Sequence, residues 1–127
     1  MPNEYDVEIK NIEEFKAEQQ EHVNNLNALN RLAKNRDFRR VIDKGLFETK
    51  AIELVLQKAD PSSQSEQDQK NIIIGIDAIG FLRQHFSSIT SLGRAAEQRL
   101  IEADVTLDEL RGERDAEEAE SLTLEDE

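Results

Sequence analysis

The most regular feature of the sequence is a row of apolar residues spaced alternately three and four apart through its second half. One heptad set is Ile72, Ile79, Phe86, Gly93, Leu100 and Leu107, and the interleaved set is Gly75, Leu82, Ile89, Ala96, Ala103 and Leu110. All twelve positions are apolar or glycine. Six heptads in phase predict a long amphipathic helix over residues 65–111 with one continuous seam. Ser63, followed by Glu66 three residues on, forms a capping box that would start it, and Gly112 would end it. The run Ile72-Ile73-Ile74-Gly75-Ile76 is apolar on nearly all sides, so this end of the helix is expected to lie buried under the preceding helices. Beyond Arg94 a single stripe remains, which suits a surface that meets a partner. Gly75, Gly80 and Gly93 each weaken a helix by about 1 kcal/mol relative to alanine, and point to close approach of a second backbone or to a kink.

Three shorter helices are predicted ahead of it. Residues 11–34 carry Ile12, Phe15, Leu26, Leu29 and Ala33 at helical spacing, with Gln19 and His22 in the register between them. Polar groups at such positions either fix register or mark a stretch facing water. The second is expected here, with Val23 placed to shift the stripe sideways. Residues 37–44 read as a short helix capped by Asp37, with Phe38, Val41 and Ile42 inward and Gly45 ending it in a left-handed cap. A third helix over 46–59 stops at Asp60-Pro61, because proline disfavours helical geometry in the residue before it. Residues 1–10 lack sustained period and read as a flexible N-terminal arm, and residues 113–127 as an acidic tail that either prolongs the helix or stays disordered. The fold class expected is all-α: short helices packed on one long heptad-patterned helix, bundle-like or coiled-coil-like, and oligomeric. The same heptads serve pairing within the chain or between chains.

Composition supports helices that lean on neighbours. In 127 residues, 37% are hydrophobic and 35% charged, with mean hydropathy −0.69 and five glycines and two prolines. That balance is poor for a self-contained globule and leaves too few breakers for a β fold with many turns. No segment has the unbroken apolar length of a membrane span, and the first residues lack the basic start and apolar stretch of a signal peptide. With no cysteine, disulfides, thiolate zinc sites and a cysteine nucleophile are excluded.

The net charge of −12 is unevenly spread. Residues 113–127 hold eight acids against one base, whereas Arg31, Lys34, Arg36, Arg39, Arg40 and Lys44 outnumber Asp37 and Asp43. Arg36, Arg39 and Arg40 are the candidate phosphate contacts. Overall acidity and the lack of interleaved surface aromatics oppose nucleic-acid binding, so a solvated face pairing with acids of the same or another copy is expected. The acidic tail reads as a solubilising terminus, with shielding of a basic partner surface as the alternative. Catalysis requires converging groups, and none converge here. His22 and His85 are the two histidines, neither in a metal-ligand spacing, and no phosphate-binding or nucleophile motif occurs. No catalytic residue, metal or cofactor is expected.

One further pattern joins these elements. Asp37-Phe38 with Val41-Ile42, Gly45-Leu46-Phe47-Glu48, Leu54-Val55 and Ala59-Asp60-Pro61 lead on to Ile76-Asp77-Ala78-Ile79-Gly80-Phe81-Leu82-Arg83. Gly93-Arg94-Ala95-Ala96-Glu97 and the acidic end complete it. Over roughly residues 26–118 the chain resembles small acidic helical proteins encoded among the head and DNA-packaging genes of tailed bacteriophages. The resemblance implies a non-enzymatic structural or assembly protein of the virion head, portal or ejected contents, located in the virion or the host cytoplasm. Its partners would be other copies of itself or virion proteins such as portal or capsid. Phe86, Ile89, Gly93, Ala96, Leu100, Leu107 and Leu110 would form the partner face. Two alternatives stay open: a host-directed inhibitor acting through its acidic surface, and a DNA-packaging accessory using the basic 31–44 segment.

Overall fold

The computed structural model describes residues 3–125. It is all-helical among those residues, with a long C-terminal helix packed against the others. Helix α1 spans Glu4–Ala33, a single turn α2 spans Arg36–Phe38, and a π-helical segment, Arg39–Lys50, continues without interruption into α3, Ala51–Ala59. A 3-10 turn, Pro61–Ser63, leads to α4, Glu66–Glu125. No helix among the described residues is long and apolar enough to cross a membrane.

Several element bounds differ from those the sequence predicts, each for a local reason. Helix α1 begins at Glu4, inside the expected flexible arm 1–10, because Asn3 Oδ1 accepts a hydrogen bond from the Asp6 amide at 2.8 Å and Ile9 is buried. Met1 and Pro2 lie outside the described residues. Asn35 replaces Asp37 as the cap of α2, accepting from the Phe38 amide at 2.9 Å. Gly45 and Gly112 end nothing. Both lie within helices, and no glycine among the described residues has positive φ. The expected break between helices 37–44 and 46–59 is therefore absent, and the acidic segment is helical to Glu125. The last two residues of the expected tail lie outside the described part. The stop at Asp60-Pro61 is where it was expected. Asp60 is extended (φ −68°, ψ 127°), and its carboxylate accepts from the Ser62 amide and hydroxyl, each at 2.8 Å, which holds its pKa below the ordinary value. The cap of α4 is Ser65, whose Oγ accepts from the Asp68 amide at 3.1 Å, in place of the Ser63–Glu66 box.

The chain divides into two compact units. The first comprises residues 1–25 with 92–127, and the second residues 26–91. In the first unit the start of α1 lies antiparallel to the end of α4, as the cross-helix partners show: Gln19 with Arg99, Lys16 with Asp104, Glu13 with Arg111 and Asp6 with Arg114. As one residue number rises along α1 its partner falls along α4. Ile9, Gln19, Ala96, Ala103 and Leu107 are buried there.

In the second unit α3 and the start of α4 form an antiparallel hairpin about the Pro61–Ser63 turn. The Gln69 side-chain amide ties the turn down, donating to the carbonyls of Lys58 at 3.0 Å and Ser63 at 2.8 Å. Gly75 lies against Leu54, and a Cβ there would come within 3.1 Å of Leu54 Cδ1, so the glycine permits the close packing its position on the seam implied. Leu26, Leu54 and Ile72 are the buried apolar side chains of this unit.

The π-helical segment solves a problem of facing. Phe38 packs tilted and Phe47 edge-on against Phe86, each with ring centroids 5.9 Å away. Nine residues are two and a half turns of an α-helix, which would set the two rings on opposite sides. The wider i→i+5 winding between them absorbs the half turn. Gly45 fits inside it, since a Cβ would approach the Arg40 carbonyl oxygen to 3.1 Å.

These glycine environments separate by experiment. Gly80 and Gly112 have nothing within 4 Å of an added Cβ. Alanine at either should therefore raise the free energy of unfolding in urea by about 0.5–1 kcal/mol, the helix-propensity difference. Gly75→Val should lower it by about 1–3 kcal/mol through overpacking on Leu54.

Candidate interaction surfaces

The twelve heptad positions of α4 are all buried or half-buried, and none is exposed. The residues expected to form a partner face are therefore largely covered by the chain itself. Gly93, Ala96 and Leu107 are buried, and Phe86, Ile89, Leu100 and Leu110 half-buried. Phe86 is the centre of the aromatic group in the second unit. Leu107 is 2% exposed inside the first. A charged substitution at Leu107 thus attacks the fold before it attacks any interface. The reason is physical: a seam without polar positions cannot stay wet while α1 is available to cover part of it.

The covering surface of α1 is shifted from the expected stripe. Phe15 is exposed, whereas Ile9 and Gln19 are buried and Lys16, His22 and Val23 half-buried. Gln19, expected to face water, is 6% exposed and its Oε1 accepts from Arg99 Nη1 at 3.3 Å. A hydrogen-bonded polar residue in an apolar seam penalises every register that would leave it unpaired. Near the start of α1, Arg114 reaches Asp6 at 3.1 Å and Asp115 at 3.4 Å, and the hydrogen bond to Asp6 chiefly raises its pKa. Tyr5 beside it has its pKa raised, first by the Glu117 carboxylate. The row Glu113, Glu117 and Glu120, at i, i+4 and i+7, is exposed throughout.

The surface left uncovered lies elsewhere. On α3, Ile52, Val55 and Leu56 are 59%, 60% and 66% exposed and share a face with Ala59 at i, i+3, i+4 and i+7. Away from them Leu54 is buried against Gly75 of α4, so α3 carries apolar residues on two faces, with Glu53, Gln57 and Lys58 between. The isoleucine-rich start of α4 is not buried on all sides as expected. Ile72 is buried, but Ile73 and Ile74 are exposed, as is Phe81. The α3 stripe is visible in the sequence as an excess of aliphatics over residues 51–59, more than one buried face needs.

Arg36, Arg39 and Arg40 are exposed, as are Arg31, Lys34 and Lys44. Among the described residues none of the six lies within ion-pair distance of an acid, so the expected pairing with acids of the same chain is not seen. Phe38, the aromatic nearest them in sequence, is half-buried against Phe86. Arg83 instead packs over the Phe47 ring, 5.8 Å from its centroid. An open groove beside it is lined by Asp43, Phe47, Arg83, Phe86, Ser87 and Thr90 among others. His22 belongs to the first unit and His85 to the second, and among the described residues no group of three metal-binding side chains converges.

Replacing Gln19 by leucine should raise stability by about 1 kcal/mol in thermal or urea unfolding, since Arg99 is exposed and water replaces its partner. It should also broaden the spin-label distance distribution between the two helices of the first unit as the register constraint is lost. No protein family, no curated protein and no solved structure matches the chain.

Proposed function

We propose that this chain is a non-enzymatic helical assembly protein whose copies associate through the outer apolar face of α3. The observation that carries this reading is the imbalance of the second unit, whose residues are all described. It buries Leu26, Leu54 and Ile72 but exposes eight large apolar side chains, Ile52, Val55, Leu56 and Phe81 prominent among them. A small unit with so little buried needs another molecule to complete its core. At on the order of 100 Å² per side chain, Ile52, Val55 and Leu56 on α3 offer roughly 300 Å² as the apolar centre of a standard interface, to which each partner brings about 800 Å².

The occupant is a second copy. The α3 stripe has Glu53 on one flank and Lys58 on the other, so two copies laid side by side in the same direction bring Glu53 of each toward Lys58 of its partner. A partner of single-sign charge would match one flank and oppose the other. In this reading the coiled-coil-like seam of α4 organises the chain, and α3 joins copies.

The setting we propose is the virion of a tailed bacteriophage, in the head, portal or ejected contents, supported by the sequence resemblance over roughly residues 26–118. Recovery of the protein by mass spectrometry of purified virions is the expected result, and its absence from them would remove that setting. For the contact itself, light scattering at sub-millimolar protein in about 0.5 M salt, where exposed charges are screened, should give at least a dimer. Val55→Asp with Leu56→Asp should give a monomer of unchanged helical content, since both side chains are exposed in the single chain. A wild type that stays monomeric under these conditions would sink the α3 contact.

A further inference from the structure

We propose that the basic turn over residues 31–44 docks on the acidic face of α4 beyond Gly112 in a second copy of the chain. This rests on the reading of the protein as one that assembles with itself, and adds a second contact of different physical kind.

Two observations meet here. The first is six exposed cations that among the described residues have no acid in ion-pair distance, on a chain whose net charge is −12. In so acidic a protein a basic cluster of this size is a place where another copy is attracted rather than repelled. The second is the exposed row Glu113, Glu117 and Glu120 on one face of α4. Its potential is felt locally, since Glu117 and Glu113 both raise the pKa of Tyr5. Of the acids in this stretch Asp115 has a cation partner, Arg114, while the row of three has none among the described residues.

Charge complementarity commits the basic turn to this occupant. Nucleic acid would also supply phosphates, but the chain as a whole repels it, and Phe38 is committed to Phe86 rather than free to stack on a base. The contact is heterologous: the turn of one copy meets the α4 end of the next. Such a contact leaves a free site on each outer copy, so it extends into rings or chains where the α3 contact closes into pairs. Being between exposed charges, it also vanishes in high salt, where the α3 contact persists.

The two contacts separate on that axis. Light scattering and sedimentation of the full chain are compared in about 25 mM and about 0.5 M salt. The wild type is expected to gain mass in low salt, with an apparent Kd at least about tenfold tighter. Arg36→Glu, Arg39→Glu and Arg40→Glu together should abolish the gain, as should Glu113→Lys, Glu117→Lys and Glu120→Lys together. A chain carrying all six reversals should recover it, and circular dichroism checks that each variant is folded. A wild-type mass independent of salt overturns the proposal. So does a six-fold reversal that stays at its high-salt mass. Short duplex DNA that binds the wild type, loses binding on the arginine reversals and competes with no self-association would also overturn it, in favour of nucleic acid. A wild type monomeric in high salt that still gains mass in low salt supports this contact while removing the one on α3.

Discussion

A seam of twelve apolar positions without a polar interruption has to be covered along its length, and the rest of this molecule follows from how the chain does so. In the first unit the start of α1 lies antiparallel on it, aligned by Gln19 and by acid–base partners spaced along both helices. The ion pairs are exposed and add little stability individually. Their value is directional, since antiparallel pairing puts Asp6, Glu13, Lys16 and Gln19 opposite Arg114, Arg111, Asp104 and Arg99 in turn. In the second unit α3 lies on the seam through Leu54 against Gly75. Covering the seam consumes one face of each helix that does it. On α3 that leaves an equally apolar face outside.

The sequence made the all-helical class and the twelve-position stripe legible, because both depend on periodicity that one chain carries in full. Pro61 marked the end of α3 for the same reason: its effect is local and steric. What periodicity cannot say is which molecule covers a stripe, since pairing within and between chains asks for the same residues. The expectation that Leu100, Leu107 and Leu110 await a partner, while Ile73 and Ile74 lie buried, is therefore inverted in the structure. The covering helix was there to be found in Ile9, but a polar N-terminal stretch hid the start of α1. Gln19 reads as wet in the sequence because its hydrogen-bond partner, Arg99, lies eighty positions away.

The glycines show a different limit. Gly45 and Gly112 read in the sequence as helix ends because glycine often adopts positive φ there, yet both lie within helices. Gly75 is needed for close packing. Gly45 is accommodated by a winding that a helix-or-break reading of the sequence does not include.

That winding also limits how the chain can change in length. Because the π-helical segment sets Phe38 and Phe47 on one side, it fixes the rotation of everything that follows it in the helix. Losing or gaining a single residue between them would turn α3 by about 100° about its axis, carrying Leu54 off the seam and swinging the outer stripe toward it. Insertions and deletions are consequently tolerable at the two places where the helical run is already broken, around Asn35 and over residues 60–65. Between those points the residue count is as much a part of the design as the residues themselves.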